Sequence, residues 1–205
     1  MPEKTVQKEP GKKPAPSKKP KPQQEVVVQI PLSELHPFPD HPFQVREDAS
    51  MQETAESVKE YGVLVPALAR PREDGGYELI AGHRRKHACE LAGLATMPVI
   101  VRDIDRDAAT IIMVDSNLQR ENILPSERAK AYKMKMEAIK RQGARTDLTS
   151  PKISAKFRSD DEVGQDAGVS GDTIRNYIAL TQLVPELQQM VDEKKIALRK
   201  TRSEE

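Results

Sequence analysis

One cysteine, Cys89, is present and tryptophan is absent, and aromatic side chains make up only 3 % of the 205 residues. A single cysteine excludes an internal disulfide and any multi-cysteine zinc site. So few rings favour modest aliphatic cores over one large aromatic core. No apolar run approaches the roughly 18 residues of a membrane span, and the N-terminus shows no apolar segment of the signal-peptide kind. These absences predict a soluble cytoplasmic protein without a membrane partner. Net charge is also nearly absent: 33 Lys+Arg stand against 32 Asp+Glu, a formal +1.

That balance conceals a split. Residues 1–24 hold seven lysines, two glutamates and six prolines, a net +5, so the chain after Gln24 carries −4. Proline lacks an amide donor and almost nothing there is apolar, so a disordered basic tail is expected. It reads equally as a solubilising leader or as an electrostatic arm for nucleic acid or an acidic partner.

Beyond it, Glu25-Val-Val-Val-Gln-Ile-Pro predicts a strand, and His36-Pro-Phe-Pro-Asp-His-Pro-Phe a proline-punctuated loop. Met51, Ala55, Val58 and Tyr61 predict one helical face over 48–61, closed by Gly62. A second strand is expected from Val63, a hairpin turn at Asp74-Gly-Gly, a helix over about 84–91, and a further strand from Met97. The pattern then turns helical. Residues 107–117 predict a helix with Ala108, Ile111 and Ile112 on its apolar face. A long helix over 127–142 follows, with Pro125 near its first turn, and then an exposed connection over 143–160 holding Pro151. The expected fold class is α+β: an α/β domain over 25–104, an all-α domain over 105–198, and a short tail over 199–205.

Within the helical part, residues 161–180 have the spacing of a helix-turn-helix. Val163 and Ala167 give one helix its apolar side, and Gly164 lets a second helix cross closely. Gly168 supplies the turn, Val169 plugs the core, Ser170 caps the next helix, and Ile174 and Ile178 face inward. Ser170, Gly171, Asp172, Thr173, Arg175, Asn176 and Tyr177 are then left near the part that enters a major groove. Arg and Asn make bidentate contacts to guanine and adenine edges. Charge opposes this reading: residues 151–205 hold nine Lys/Arg and ten Asp/Glu, and Asp172 sits on the reading face itself. Because phosphate contacts dominate affinity, a second basic element or a dimer is needed.

The other constellation is Leu79-Ile-Ala-Gly-His-Arg-Arg-Lys-His-Ala. A strand runs into Gly82, and a helix opens with His83, Arg84 and Arg85. Helix-terminal amides plus guanidinium forks suit a polyphosphate. Downstream, Asn117, Gln119, Arg120, Glu121 and Asn122 crowd a break between two helices, which helix-end capping by Ser116 and Asn122 explains only in part.

In order, "GVLVPALARP", "YELIAGHRRKHACELAGL", "MPVIV", "SNLQRENILPSERAKAY" and the helix-turn-helix resemble the ParB family of chromosome and plasmid partition proteins, over about residues 26–198. The resemblance implies a ParB/sulfiredoxin-like N-terminal domain followed by a helix-turn-helix domain for a parS-type site. It also implies a homodimer, a ParA-type ATPase partner, and location on nucleoid or plasmid DNA. It further implies CTP with Mg²⁺, gating a clamp on double-stranded DNA. Carried over, Gly82, His83, Arg84 and Arg85 meet the triphosphate, Asn117 helps hold Mg²⁺, and Gln119 and Arg120 shape the pocket and a subunit contact.

Four positions depart from the family pattern. His83 stands for the usual glutamate, His87 for the third arginine, Ser116 for the glutamate before Asn-Leu-Gln-Arg, and Val65 for a glutamine. A neutral His or Ser offers Mg²⁺ no hard anionic oxygen, so CTP hydrolysis stays open and no catalytic residue is assigned. The family's C-terminal dimerisation domain is expected to be missing after Leu198. Two alternatives remain at this stage: an enzyme of the superfamily (a nucleotide-dependent phosphotransferase or a nuclease), or a DNA-binding regulator whose nucleotide site has decayed. Cys89 reads as a small buried hydrophobe rather than a reactive thiol.

Overall fold

The computed structural model describes residues 25–120, 122–147 and 159–197. The expected basic tail 1–24, Glu121, most of the expected connection with Pro151, and the expected tail 199–205 lie outside the described residues. Strands β1 (Val27–Pro31), β2 (Leu35–Pro37), β3 (Ala67–Pro71), β4 (Tyr77–Ala81) and β5 (Thr96–Val101) form one sheet in the order β1-β5-β3-β4-β2. It is mixed: β1 is antiparallel to β5 and β3 to β4, while β3 with β5 and β2 with β4 run parallel. Helices α1 (Ala49–Tyr61) and α2 (His83–Leu91) are interleaved with the strands. Then follow α3 (Arg106–Leu118), α4 (Pro125–Asp147), α5 (Ser159–Ala167), α6 (Gly171–Leu180) and α7 (Pro185–Asp192). The α/β-then-helical order expected from the sequence is what the chain adopts.

Strand alternation divides the core. Leu79 joins Ile30, Met51, Ala67, Cys89 and Val99 beneath α1 and α2. The next residue, Ile80, points the other way into Phe38, Phe43, Met113, Val114 and Ala131. Cys89 is fully buried, and burial raises its thiol pKa, which leaves it an inert hydrophobe. Tyr132, Val163 and Ile174 bind α4, α5 and α6 together, and Ala129, Leu180 and Val191 hold α7 on.

Several local expectations shift. The second strand begins at Ala67 rather than Val63, and Leu64 and Val65 are left 79 % and 63 % exposed. Pro66 has no amide for a ladder, and Arg85 Nη1 donates to both the Val65 and Pro66 carbonyls at 2.6 Å. His36 and Pro37 belong to β2, since proline is tolerated in a short edge strand. Helix α4 continues through Gly143 to Asp147. On α3 the buried side is Ala109, Met113 and Val114 with Asp107, Thr110 and Asn117, one step round from the apolar face expected. Two of its polar groups are engaged there, Asp107 receiving Arg141 at 2.8 Å and Thr110 Oγ1 donating to the Arg106 carbonyl at 2.8 Å.

Two polar joints fix the helices. Lys135 on α4 is 1 % exposed and bridges Asp115 of α3 at 2.7 Å and Asp166 of α5 at 2.8 Å. Asp192 of α7 accepts from the Ser126 amide at 2.8 Å and from its hydroxyl at 2.5 Å, satisfying groups at the α4 N-terminus that no intrahelical acceptor reaches.

Candidate functional site

A cavity of about 310 Å³ opens between α1, α2 and the α3–α4 break. Arg84 enters it from the first turn of α2, and Arg120 and Asn122 from the break. The remaining wall comes from the loop before α1 and that helix's first turn: Phe43, Gln44, Arg46, Asp48 and Ser50. Glu127 closes it from α4. Three guanidinium groups thus face two carboxylates, and both carboxylates are engaged. Asp48 caps α1, accepting the Met51 amide at 2.9 Å, and lies 3.4 Å from Arg84 Nη2. The Met51 amide first, then Arg84, hold its carboxyl below the usual range. Glu127 accepts the Gln44 and Leu124 amides, each at 3.1 Å, the reach-back half of a capping box. Among the described residues Arg84 makes only long contacts, including Ser50 at 3.3 Å. Burial lowers the pKa of the Arg120 guanidinium, with Arg84 and Arg85 adding to it. An anion relieves that crowding of positive charge.

The other expected nucleotide-site residues divide. Gly82 has φ +111°, and a Cβ there would stand 2.8 Å from that of Ala67, so only glycine lets β4 turn into α2 against β3. Arg85 points away from the cavity, to the Val65 and Pro66 carbonyls. Asn117 is 2 % exposed; its Nδ2 donates to the Met113 carbonyl at 2.7 Å, its Oδ1 has no partner among the described residues, and it is not among the cavity-lining residues. Gln119 lies in a separate cleft with Asp115, Arg128 and Asp166. Sequence reasoning did not reach Phe43, Gln44, Arg46, Ser50 or Glu127. The Leu124-Pro-Ser-Glu capping pattern was the available signal for the last of these.

His83 is not among the residues that line this cavity. Its ring rests on His41 with centroids 3.9 Å apart. Burial first, then His41, Arg120 and Lys86, push its pKa down to about 3. Burial also lowers that of His41, whose Nδ1 lies 2.7 Å from the Phe43 carbonyl. An unfolded His83 takes a proton below about 6.5 and the folded one does not, so stability is full above that pH and falls on acidification towards 3. Urea midpoints of the wild-type protein are therefore expected to drop between pH 7.5 and pH 5. In His83→Phe the drop should shrink; an identical drop would assign the acid sensitivity elsewhere.

The second site is α5–α6. A Cβ on Gly164 would lie 2.6 Å from the Val169 carbonyl oxygen, and Gly168 turns with φ +68°. Ser170 caps α6, its hydroxyl accepting from the Thr173 amide at 3.2 Å, while Val163 and Ile174 are fully buried. The helix-turn-helix spacing read from the sequence folds as one. Of the seven residues expected on its outer face, Ser170, Asp172 and Arg175 are exposed and Thr173, Asn176 and Tyr177 partly so. Gly171 is buried against Asp161 of α5. The partly exposed Tyr177 packs its ring 5.6 Å from that of Tyr132 and beneath Arg128. Arg175 is paired with Asp160 and Asp172.

The ParB N-terminal domain family matches residues 16–118. The chain is 37 % identical over 161 residues to the chromosome-partitioning protein Spo0J of Thermus thermophilus, covering 78 % of this chain and 52 % of that protein. It is 32 % identical over 170 residues to the stage 0 sporulation protein J of Bacillus subtilis, covering 83 % and 54 %. It therefore spans about half the length of these curated relatives. Among solved structures it is similar to a C-terminally truncated chromosome-partitioning protein ParB from Caulobacter crescentus complexed to the centromeric parS site. There the TM-score is 0.54 and the identity 26 %, covering 83 % of this chain and 80 % of that one. With a mixed sheet whose β4 runs into the Gly-His-Arg-Arg turn and a helix-turn-helix further along, this chain belongs to the ParB family.

Proposed function

We propose that this chain is a DNA-binding partition protein that binds a parS-like site through α6 and a cytidine triphosphate in the cavity between α2 and the α3–α4 break. One observation carries the nucleotide reading: Arg84 and Arg120, 36 residues apart, line the same cavity. In this reading residues 25–104 are the nucleotide-binding unit and 105–198 the DNA-binding unit. Nucleotide then couples to DNA through α3, which leads from the sheet to the Arg120 break, while Lys135 fastens that helix to α5. A homodimer on nucleoid or plasmid DNA, working with a ParA-type ATPase in the cytoplasm, completes the role.

The residues fit a polyanion better than they fit a protein-held Mg²⁺. Among the described residues no group of three or more His, Cys, Asp or Glu is placed to hold a metal. Asp48 and Glu127 are engaged by backbone amides, and Asn117 lies outside the cavity lining. Nucleotide-dependent gating is thus the reading, with turnover by this chain left out of it.

The test is a titration with labelled CTP, ATP and GTP in the presence of Mg²⁺, with and without DNA. Selective CTP uptake that DNA stimulates is expected. DNA binding with no nucleotide uptake would replace the gated clamp by a regulator whose cavity has lost its ligand.

A further inference from the structure

The exposed side of α6 sets an arginine between two acids. Arg175 Nη1 pairs with Asp160 at the start of α5 and Nη2 with Asp172 one turn earlier on α6. The two acids differ in accessibility. Asp160 is 8 % exposed overall, whereas the Asp172 side chain is 79 % exposed. Asp160 is thereby held within the fold, whereas Asp172 lies where water and salt reach it. One N–H on each amino end of the guanidinium fork is taken, so a base edge or a phosphate that seeks both amino groups competes with the two carboxylates for Arg175.

We propose that Asp160 and Asp172 are specificity-determining residues that hold Arg175 away from non-cognate DNA and release it only to a partner offering more than one phosphate does. This rests on the reading of α6 as the DNA-facing helix. A phosphate on an arbitrary duplex supplies one diffuse charge, which an existing doubly paired guanidinium does not gain by accepting. A correctly placed guanine presents two acceptors, O6 and N7, in a bidentate geometry and replaces both acid contacts at once. Where that replacement fails, Asp172 keeps its hold on Arg175 and the guanidinium contributes no phosphate contact. The near-neutral charge of the helical segment thus lowers affinity for wrong sequences more than for the right one.

The experiment uses the full chain with two probes: a duplex selected by the wild-type protein from a random-sequence library, and a shuffled duplex of the same length and composition. Fluorescence anisotropy is followed over a salt series. Asp172→Asn is expected to tighten binding to the shuffled duplex about tenfold and to steepen its log–log salt slope by about one. The selected duplex should change by less than about threefold, so discrimination falls. In the Arg175→Ala background the same substitution should give no gain, because Asp172 acts through that arginine. Asp160→Asn should move discrimination in the same direction. Asp172, being exposed, keeps the test independent of whether Asp160→Asn folds. Unchanged binding to the shuffled duplex in Asp172→Asn overturns the proposal, as does a gain that persists without Arg175. Failure of the wild-type protein to select any sequence would instead sink the DNA-reading function, and this inference with it.

Discussion

Arg84→Ala is expected to weaken CTP binding roughly 100-fold, read by calorimetry, while leaving the fold and DNA binding in the absence of nucleotide unchanged. The magnitude is that of losing a charge-assisted fork on phosphate. The fold should survive, since the native arginine contributes little to it: its nearest partners are Asp48 at 3.4 Å and Ser50 at 3.3 Å, both at the exposed start of α1. Such surface pairs are worth well under about 1 kcal/mol. Arg84→Lys should recover only part of the affinity, because an ammonium keeps the charge and loses the planar pair of donors. Wild-type CTP affinity in Arg84→Ala would remove the cavity from the reading.

Its neighbour provides the contrast. Arg85 is adjacent in sequence and directed elsewhere, fixing the Val65 and Pro66 carbonyls that precede β3. Two arginines side by side on a helix sit about 100° apart, so they serve different surfaces. The sequence pattern shows the pair and cannot show which of them lines the cavity.

That limit recurs through the molecule and has a physical basis. The helix-turn-helix was legible because its determinants are local and steric: Gly164 under a crossing helix, Gly168 at positive φ and Ser170 as a cap act within ten residues of one another. The hinge at Gly82 was legible for the same reason. Half of the cavity was not, because the wall from Phe43 to Ser50 is a loop without periodicity. Its course is set by contacts such as the Gln44 amide with Glu127, 83 residues away. The inner face of α3 was misread because periodicity counts apolar residues, whereas Asp107, Thr110 and Asn117 are buried there. The packing of the Tyr177 ring with Tyr132 and Arg128 was not legible either, since both partners lie more than forty residues away in sequence. Lys135 gave no signal at all, since a buried lysine is recognisable only once Asp115 and Asp166 are beside it.

Gly164→Val should destabilise the protein by about 3 kcal/mol and abolish sequence-selective DNA binding. The glycine's virtual Cβ lies 2.6 Å from the Val169 carbonyl oxygen, 3.1 Å from the Gly171 amide nitrogen and 3.2 Å from the Ser170 carbonyl carbon. All three are backbone atoms of the turn, so no side-chain rotation relieves the overlap. Either α5 lifts from the turn or the turn itself moves, and the usual overpacking cost of about 1–3 kcal/mol applies at its upper end. Branching at Cβ adds atoms in the same crowded space. For a chain of this size the midpoint of thermal unfolding should fall by roughly 6–12 °C. Because Ser170 starts α6 from that turn, a displaced turn redirects Asp172, Arg175 and Asn176, and selectivity is lost even in the molecules that remain folded. Gly143→Ala is the matched control: that glycine is helical and exposed with nothing within 4 Å of its virtual Cβ. There the substitution should stabilise by about 0.5–1 kcal/mol, since only the helical entropy cost of glycine is removed. Equal and small effects at both positions would mean that α5 and α6 do not cross at Gly164 as closely as the turn requires.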